Sequence, residues 1–190
     1  MYDDKRELTR SVIEERKKRT AREEIKDAVK IVKQLACGVI YEDAQGNEVY
    51  HKFRYKVGEV VAVAQNYEQT GLFDVYRAPE GTPGWTNKMF VKASIMPHQI
   101  QITDIKVQRL QDISDEDCLL EGVIPNQIGY YLKGVKSIKD NEAYTVKDGI
   151  AYKLFPLPKR AFAYLINAIS GKGTWERNSY HVIYYFKLIK

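Results

Sequence analysis

The stretch LQDISDEDCLLEGV, residues 110–123, predicts a short helix with well-defined ends. Ser114 is a favourable N-cap residue, because its hydroxyl can accept a hydrogen bond from the first turn of the helix. The acidic residues 115–117 follow at the positive end of the helix dipole, where negative charge is stabilised. Gly122 can adopt the left-handed conformation that commonly ends a helix. We therefore expect a helix between Ser114 and Gly122.

Glu121 is the residue of this segment whose charge does not suit its position. Its carboxylate lies at the negative end of the helix dipole, which costs roughly 0.3–1 kcal/mol unless water solvates the charge. Two interpretations follow from the sequence. Either the Glu121 side chain points into water, or the fold requires a carboxylate at this place.

The sequence on both sides of this helix is rich in strand patterns. Residues 98–110 alternate apolar and polar side chains, and a slip in the alternation at residues 103–104 predicts a β-bulge. The Tyr- and Lys-rich residues 128–154 predict short strands, and residues 179–190 predict a last strand. Pro158 favours the first turn of another helix.

The first third of the chain contains both helical and strand patterns. Apolar residues recur at helical spacing, so we expect a charged amphipathic helix over residues 11–36 with Ser11 as its cap. Residues 37–67 predict strands, with a turn at residues 44–47.

A polar segment rich in Gly and Pro follows at residues 77–87, long enough for a disordered connection or a binding loop. A further strand is expected to begin at residues 89–95.

The composition is that of a globular protein with a mildly basic surface. The chain has 190 residues, a net charge of +5 and a sequence pI of about 9.0, which permits a polyanionic partner. No apolar run is long enough for a membrane span, and the charged N-terminus does not resemble a signal peptide. Two cysteines fit a reducing compartment. We therefore expect a cytoplasmic protein without a membrane partner.

The order of the predicted elements favours an α+β fold. Strands outnumber helices and mostly follow one another, which is typical of a mixed or antiparallel sheet, or of a small barrel with helices packed outside. The length suits a single domain over residues 1–190. The three histidines are far apart and have no partner at metal-ligand spacing, so no metal site is expected. No nucleophile or cofactor motif is present, and no cofactor is expected.

Four segments in the same order resemble the ASCH domain family, and in particular its phage-associated branch. The segments are YKVGEVVAVAQNY (55–67), PGWTNKMFVKASIMPHQIQITDI (83–105), LQDISDEDCLLEGV (110–123) and AFAYLINAISGKGTWERN (161–178). The resemblance covers residues 5–10 and most of residues 55–190. It implies a PUA-like β-barrel with peripheral helices.

The resemblance also implies candidate catalytic residues. Small members of the family hydrolyse N4-acetylcytidine nucleosides, with a Lys and a Thr from a K-T-x-T motif and a Glu from the helix described above. On this sequence the Glu falls on Glu121, the second Thr on Thr9, and the lysine position on Arg6, next to Lys5. Arginine stays charged and can only donate hydrogen bonds, whereas a buried lysine can lose its proton. Glu121 would then act as general acid or base, Thr9 as nucleophile or water-orienting group, and Arg6 as oxyanion donor.

Binding of RNA or of a modified nucleotide is the first function that the resemblance implies, with RNA favoured over DNA. The candidate binding residues are Lys5, Arg10, Gln65, Trp85, Lys88, Trp175 and Asn178. In this interpretation the tryptophans stack on bases and the basic residues bind phosphates. The alternative is an amidohydrolase acting through Glu121, Thr9 and Arg6. A third interpretation is a protein-interaction module that docks through the helix at residues 11–36.

Overall fold

The computed structural model describes residues 8–70, 81, 83–85, 91–133, 135 and 143–189. Within these residues the fold is α+β, with antiparallel strands in sheets and a few helices, as the sequence predicts. The strands are β1 (Arg19–Ile25), β2 (Lys30–Leu35), β3 (Gly38–Glu42), β4 (Glu48–Lys52), β5 (Val60–Ala62), β6 (Gln99–Arg109), β7 (Ile124–Asn126), β8 (Gly129–Tyr131), β9 (Tyr144–Lys147), β10 (Ile150–Lys153) and β11 (Tyr180–Leu188). The helices are Leu8–Ile13, Tyr67–Thr70, Asp115–Leu120, Pro158–Ser170 and Thr174–Arg177, with short 3-10 turns at Ala93–Ile95 and Leu110–Asp112.

The main sheet has the strand order β1-β11-β6-β5, and every neighbouring pair is antiparallel. The long strands β6 and β11 form its centre. Asp104 pairs with Tyr185 and Ile102 pairs with Phe186, so Thr103 is the extra residue of a bulge. The bulge predicted from the slip in the alternation is therefore confirmed.

The predicted helix over residues 11–36 is wrong. Only Leu8–Ile13 is helical there, and the rest forms β1 and the edge strand β2 of a separate sheet with the order β2-β3-β4. The apolar residues at helical spacing do not share a buried face, since Val29 and Val32 are 51% and 44% exposed. Pairing with distant strands has overridden the local pattern. The interaction module that was expected to dock through this helix loses its structural basis.

Most of the other predicted elements are confirmed. The turn at residues 44–47 joins β3 to β4, and the Asp43 carboxylate accepts hydrogen bonds from the N–H groups of Gln45 and Asn47. The short strands between residues 128 and 154, the helix starting at Pro158 and the last strand are also present. The strand expected at residues 89–95 is wrong in its described part, which forms the 3-10 turn. Most of the segment at residues 77–87 lies outside the described residues.

The expected closed barrel is not found among the described strands, because the main sheet ends at β1 on one side and at β5 on the other. The edge strand β5 covers only the first part of β6. Beyond it, the Gln34 side chain donates to the Ile105 carbonyl at 2.7 Å and accepts from the Val107 N–H at 3.2 Å. The side-chain amide of Gln34, and not a neighbouring strand, thus makes the hydrogen bonds to this part of the β6 backbone.

The hydrophobic core joins the main sheet to the helices packed on it. The helix Pro158–Ser170 contributes Phe162 and Leu165, and the helix Asp115–Leu120 contributes Cys118, all of them buried. Burial raises the pKa of the Cys118 thiol to about 12, so this cysteine behaves as a small apolar side chain.

Candidate functional site

Glu121 is the residue at which the helix Asp115–Leu120 ends, and its side chain points inward. The Ser114 hydroxyl accepts the Asp117 N–H at 3.0 Å, as expected of an N-cap. Gly122 has a φ of +100°, the left-handed conformation expected after the helix. The Glu121 side chain is only 3% exposed. The interpretation in which Glu121 points into water is therefore excluded.

Lys17 is the buried partner of Glu121. Its ammonium group forms an ion pair with Glu121 Oε2 and also donates to the Glu121 backbone carbonyl at 3.1 Å. The other carboxylate oxygen accepts the Ala21 N–H at 3.0 Å and lies 3.5 Å from Nη1 of Arg19. Because the Lys17 side chain is 4% exposed, water screens this pair very little. The charge that is unfavourable for the helix dipole is thus compensated by a cation from another part of the chain.

Backbone hydrogen bonds fix the segment that carries Lys17. The Lys17 N–H donates to the Ser11 carbonyl at 2.9 Å, and the Lys18 N–H donates to the Leu120 carbonyl at 2.9 Å. The Lys18 carbonyl accepts the Phe186 N–H at 2.9 Å, which extends the pairing of β1 with β11 by one residue. The position of Lys17 beside Glu121 is therefore set by the main sheet and by the end of the helix together.

Arg19 adds a second buried cation to this cluster. It is 1% exposed, its Nε lies 3.8 Å from the Asp117 carboxylate, and its guanidinium group lies 5.5 Å from the centre of the Tyr185 ring. The Tyr185 hydroxyl donates to Asp117 at 3.2 Å, and burial raises the pKa of Tyr185. Nε and Nη1 of Arg19 make no hydrogen bond with any residue in the described part of the chain. Buried donors without acceptors are costly, and the carboxylates nearest to these two atoms among the described residues are Asp117, 3.8 Å from Nε, and Glu121, 3.5 Å from Nη1.

The cluster of Lys17, Arg19, Asp117 and Glu121 has the groups that acid–base chemistry requires. A carboxylate can accept a proton, and an ammonium group can donate one or stabilise a negative oxygen. The low exposure of the cluster strengthens these interactions relative to water. Ionisable groups concentrated in this way are typical of functional sites.

The structure describes part of the predicted catalytic set. Thr9 is buried in the helix Leu8–Ile13, two residues before Ser11, whose carbonyl accepts the Lys17 N–H. Arg10 is exposed and forms an ion pair at 2.7 Å with Glu14, which directly follows the same helix. Arg6 and Lys5 lie outside the described residues, so the expected position of the family lysine at Arg6 stays a prediction.

Sequence reasoning missed Lys17, although the chain contains a signal for it. In the K-T-x-T motif the lysine and the second threonine are three residues apart, and Lys17 and Thr20 have the same spacing. Thr20 directly precedes Ala21, whose N–H binds the Glu121 carboxylate. The string KKRT could have been matched to the motif by spacing, but Lys18 occupies the first threonine position and hides the similarity.

Gln65 and Trp85 lie at the end of the main sheet at which Lys17 lies. The strands alternate in direction, so the start of β1 and the end of β5 share one end of the sheet. They lie at opposite edges, three strand spacings apart, so at least roughly 14 Å separates them. Gln65 is buried, and its Oε1 has no hydrogen-bond partner among the described residues. The Trp85 carbonyl accepts a hydrogen bond of 3.2 Å from the N–H of Glu68, which lies three residues after Gln65. This bond keeps the Trp85 backbone near Gln65.

Trp175 and Asn178 lie at the opposite end of the sheet, where β11 begins. The Trp175 ring packs edge-to-face on Phe162, with ring centres 6.0 Å apart, and belongs to the core. The Asn178 side-chain oxygen accepts the Gln111 N–H at 2.9 Å. These contacts are structural, so the structure does not bring Trp175 and Asn178 together with Glu121. Lys88 lies outside the described residues.

In comparisons with known proteins, no family model, no curated protein and no solved structure matches the chain. Among the described residues, no group of three His, Cys, Asp or Glu side chains could hold a metal ion. In the same part of the chain, no helix is both long enough and apolar enough to cross a membrane.

Proposed function

We propose that this chain is an amidohydrolase of the ASCH type, acting on an N4-acylated cytidine-type nucleoside. The observation that carries the proposal is the buried Lys17–Glu121 ion pair, with Thr20 at the spacing of the family motif. The proposal replaces the Arg6 of the sequence prediction with Lys17. It gives no role to a threonine, because Thr20 pairs with Tyr184 on the face of the sheet opposite to Arg19 and Tyr185. Glu121 keeps its role.

The reaction consumes one water and releases a carboxylic acid and the free amine. In the proposed mechanism Glu121 accepts a proton from water as the resulting hydroxide attacks the amide carbonyl. The positive charge of the Arg19 guanidinium group, which lies 3.5 Å from Glu121, stabilises the negative oxygen of the tetrahedral intermediate. The ammonium group of Lys17 then delivers a proton to the departing N4 amine, and the proton held by Glu121 returns to Lys17.

Hydrolysis of N4-acetylcytidine, followed as release of cytidine by liquid chromatography, tests this proposal. We expect turnover by the wild type and a loss of about 100-fold or more in Lys17→Gln and Glu121→Gln, the usual range for an acid–base group. Lys18→Gln is the matched control, because Lys18 is the neighbouring lysine and its side chain is about half exposed. A wild type that releases no cytidine at any pH would overturn the proposal.

A second candidate function is binding of a cytidine nucleotide or RNA without hydrolysis. The observation that favours it is the buried side-chain oxygen of Gln65, which has no donor among the described residues. The hydrogen bond from the Glu68 N–H to the Trp85 carbonyl keeps the Trp85 backbone near it. A buried acceptor of this kind can recognise an amino group of a base, and an aromatic ring can stack on the base.

Trp85 and Trp175 are the two tryptophans of the chain, so Trp175→Phe leaves Trp85 as the only tryptophan reporter.

Fluorescence of the Trp175→Phe protein tests this candidate. We expect quenching by cytidine nucleotides or single-stranded RNA, more weakly by the matching DNA, and a weaker response after Gln65→Leu. Unchanged fluorescence with all of these ligands would remove the candidate.

A further inference from the structure

A basic pocket of about 690 Å³ lies at the end of the main sheet opposite to Lys17. It is lined by Glu24 from β1, Lys26 and Ala28 after it, Arg109 at the end of β6, and Arg177 and Ser179 before β11. Seven residues of extended chain separate Lys17 from Glu24, which corresponds to roughly 23 Å. The basic pocket is therefore a separate site from the Lys17–Glu121 cluster.

Arg109 is held rigidly at the wall of the basic pocket. Its Nη1 donates to the Asn178 carbonyl at 3.1 Å and its Nη2 donates to the Val29 carbonyl at 3.0 Å. The guanidinium group stacks on the Tyr180 ring, 4.3 Å from its centre. Both hydrogen bonds go to neutral carbonyls, and no carboxylate among the described residues forms an ion pair with Arg109. These contacts hold the positive charge of Arg109 in place, and none of them neutralises it.

Glu24 is the carboxylate of the pocket lining, and it already has partners. The Ser179 hydroxyl donates to Glu24 Oε1 at 2.7 Å, and Nε of Arg177 lies 3.4 Å from the same oxygen. Burial alone would raise the pKa of Glu24, but these two hydrogen bonds outweigh it and lower the pKa. Glu24 is thus a charged carboxylate that orients Arg177. The lining also contains three cationic side chains, so its net charge remains positive.

We propose that the basic pocket binds a phosphate ester. Three cations against one carboxylate give the lining a net positive charge, and arginine guanidinium groups match the geometry of phosphate oxygens. The volume lies within the range of pockets for nucleotide-sized ligands. The phosphate can come from a free nucleotide or from the backbone of a nucleic acid. The proposal does not depend on hydrolysis at the Lys17–Glu121 cluster.

Isothermal titration calorimetry with inorganic phosphate, cytidine 5′-monophosphate and cytidine tests the proposal. We expect the first two to bind and cytidine to bind at least about tenfold more weakly than its monophosphate. Arg177→Gln and Lys26→Gln change exposed side chains, so they should leave the fold intact and lower the affinity for the monophosphate. Arg109→Gln should lower it about tenfold or more, as expected for a lost charge-assisted hydrogen bond. Arg160→Gln, an exposed arginine on the helix Pro158–Ser170, is the control.

Titration with single-stranded RNA of increasing length distinguishes the two sources of phosphate. Affinity that rises with length and competes with the monophosphate indicates a nucleic-acid backbone, whereas affinity independent of length indicates a free nucleotide. Equal binding of cytidine and its monophosphate, or unchanged affinity in Arg109→Gln and Arg177→Gln together, would overturn the proposal.

Discussion

Removing one partner of the buried Lys17–Glu121 pair should destabilise the protein more than removing both. Glu121→Gln keeps an acceptor for the Ala21 N–H but leaves the Lys17 ammonium group buried without its counterion. Two charges about 4 Å apart attract one another by about 4 kcal/mol at an effective dielectric constant of about 20. Breaking such a pair by one substitution typically costs about 3–5 kcal/mol.

The double variant Lys17→Met/Glu121→Gln removes both charges and leaves no unpaired ion of this pair. Because apolar replacement of a buried pair is often nearly neutral, its free energy of unfolding should exceed that of either single variant. Urea unfolding followed by circular dichroism measures all four proteins of the cycle. Each single substitution costs about 3–5 kcal/mol and the double variant less than either, so we expect the two single effects to be non-additive by at least about 3 kcal/mol. Additive effects, within about 0.5 kcal/mol, would show that the two charges are not coupled and would refute the reasoning.

Three further predictions concern other parts of the fold. Tyr184→Phe should lower the free energy of unfolding by about 1–3 kcal/mol, measured by urea unfolding, because the Tyr184 hydroxyl donates to the Glu23 carboxylate. Gly122→Ala should cost about 1–2 kcal/mol and lower the melting temperature in calorimetry, because φ is +100° there. Cys37 is exposed and Cys118 is buried with a raised pKa, so a thiol reagent at pH 8 should label one cysteine quickly and the second only after denaturation.

The elements that the sequence predicts correctly are those whose signals are local. Ser114 and Gly122 lie at the two ends of one short helix, and each adopts the conformation expected of its residue type. The bulge at Thr103 is visible as a slip in a pattern that burial imposes on a single strand. Such features depend on a few neighbouring residues, so tertiary contacts do not alter them.

The features that the sequence does not reveal depend on distant partners. Arg19 begins a strand because it pairs with Tyr185, which lies far along the chain, and the local pattern around it is helical. The Lys17–Glu121 contact joins residues separated by 104 positions. The sequence leaves open whether Glu121 points into water or is required by the fold. Its burial beside Lys17 follows only from the fold.

The most direct test of the proposed hydrolase is turnover of N4-acetylcytidine by a variant that folds but lacks the charged pair. The account predicts that the wild type and Lys18→Gln release cytidine, while Lys17→Met/Glu121→Gln unfolds cooperatively and releases none above the uncatalysed rate. A wild type without activity would contradict the account, and so would a double variant that retains the activity of the wild type.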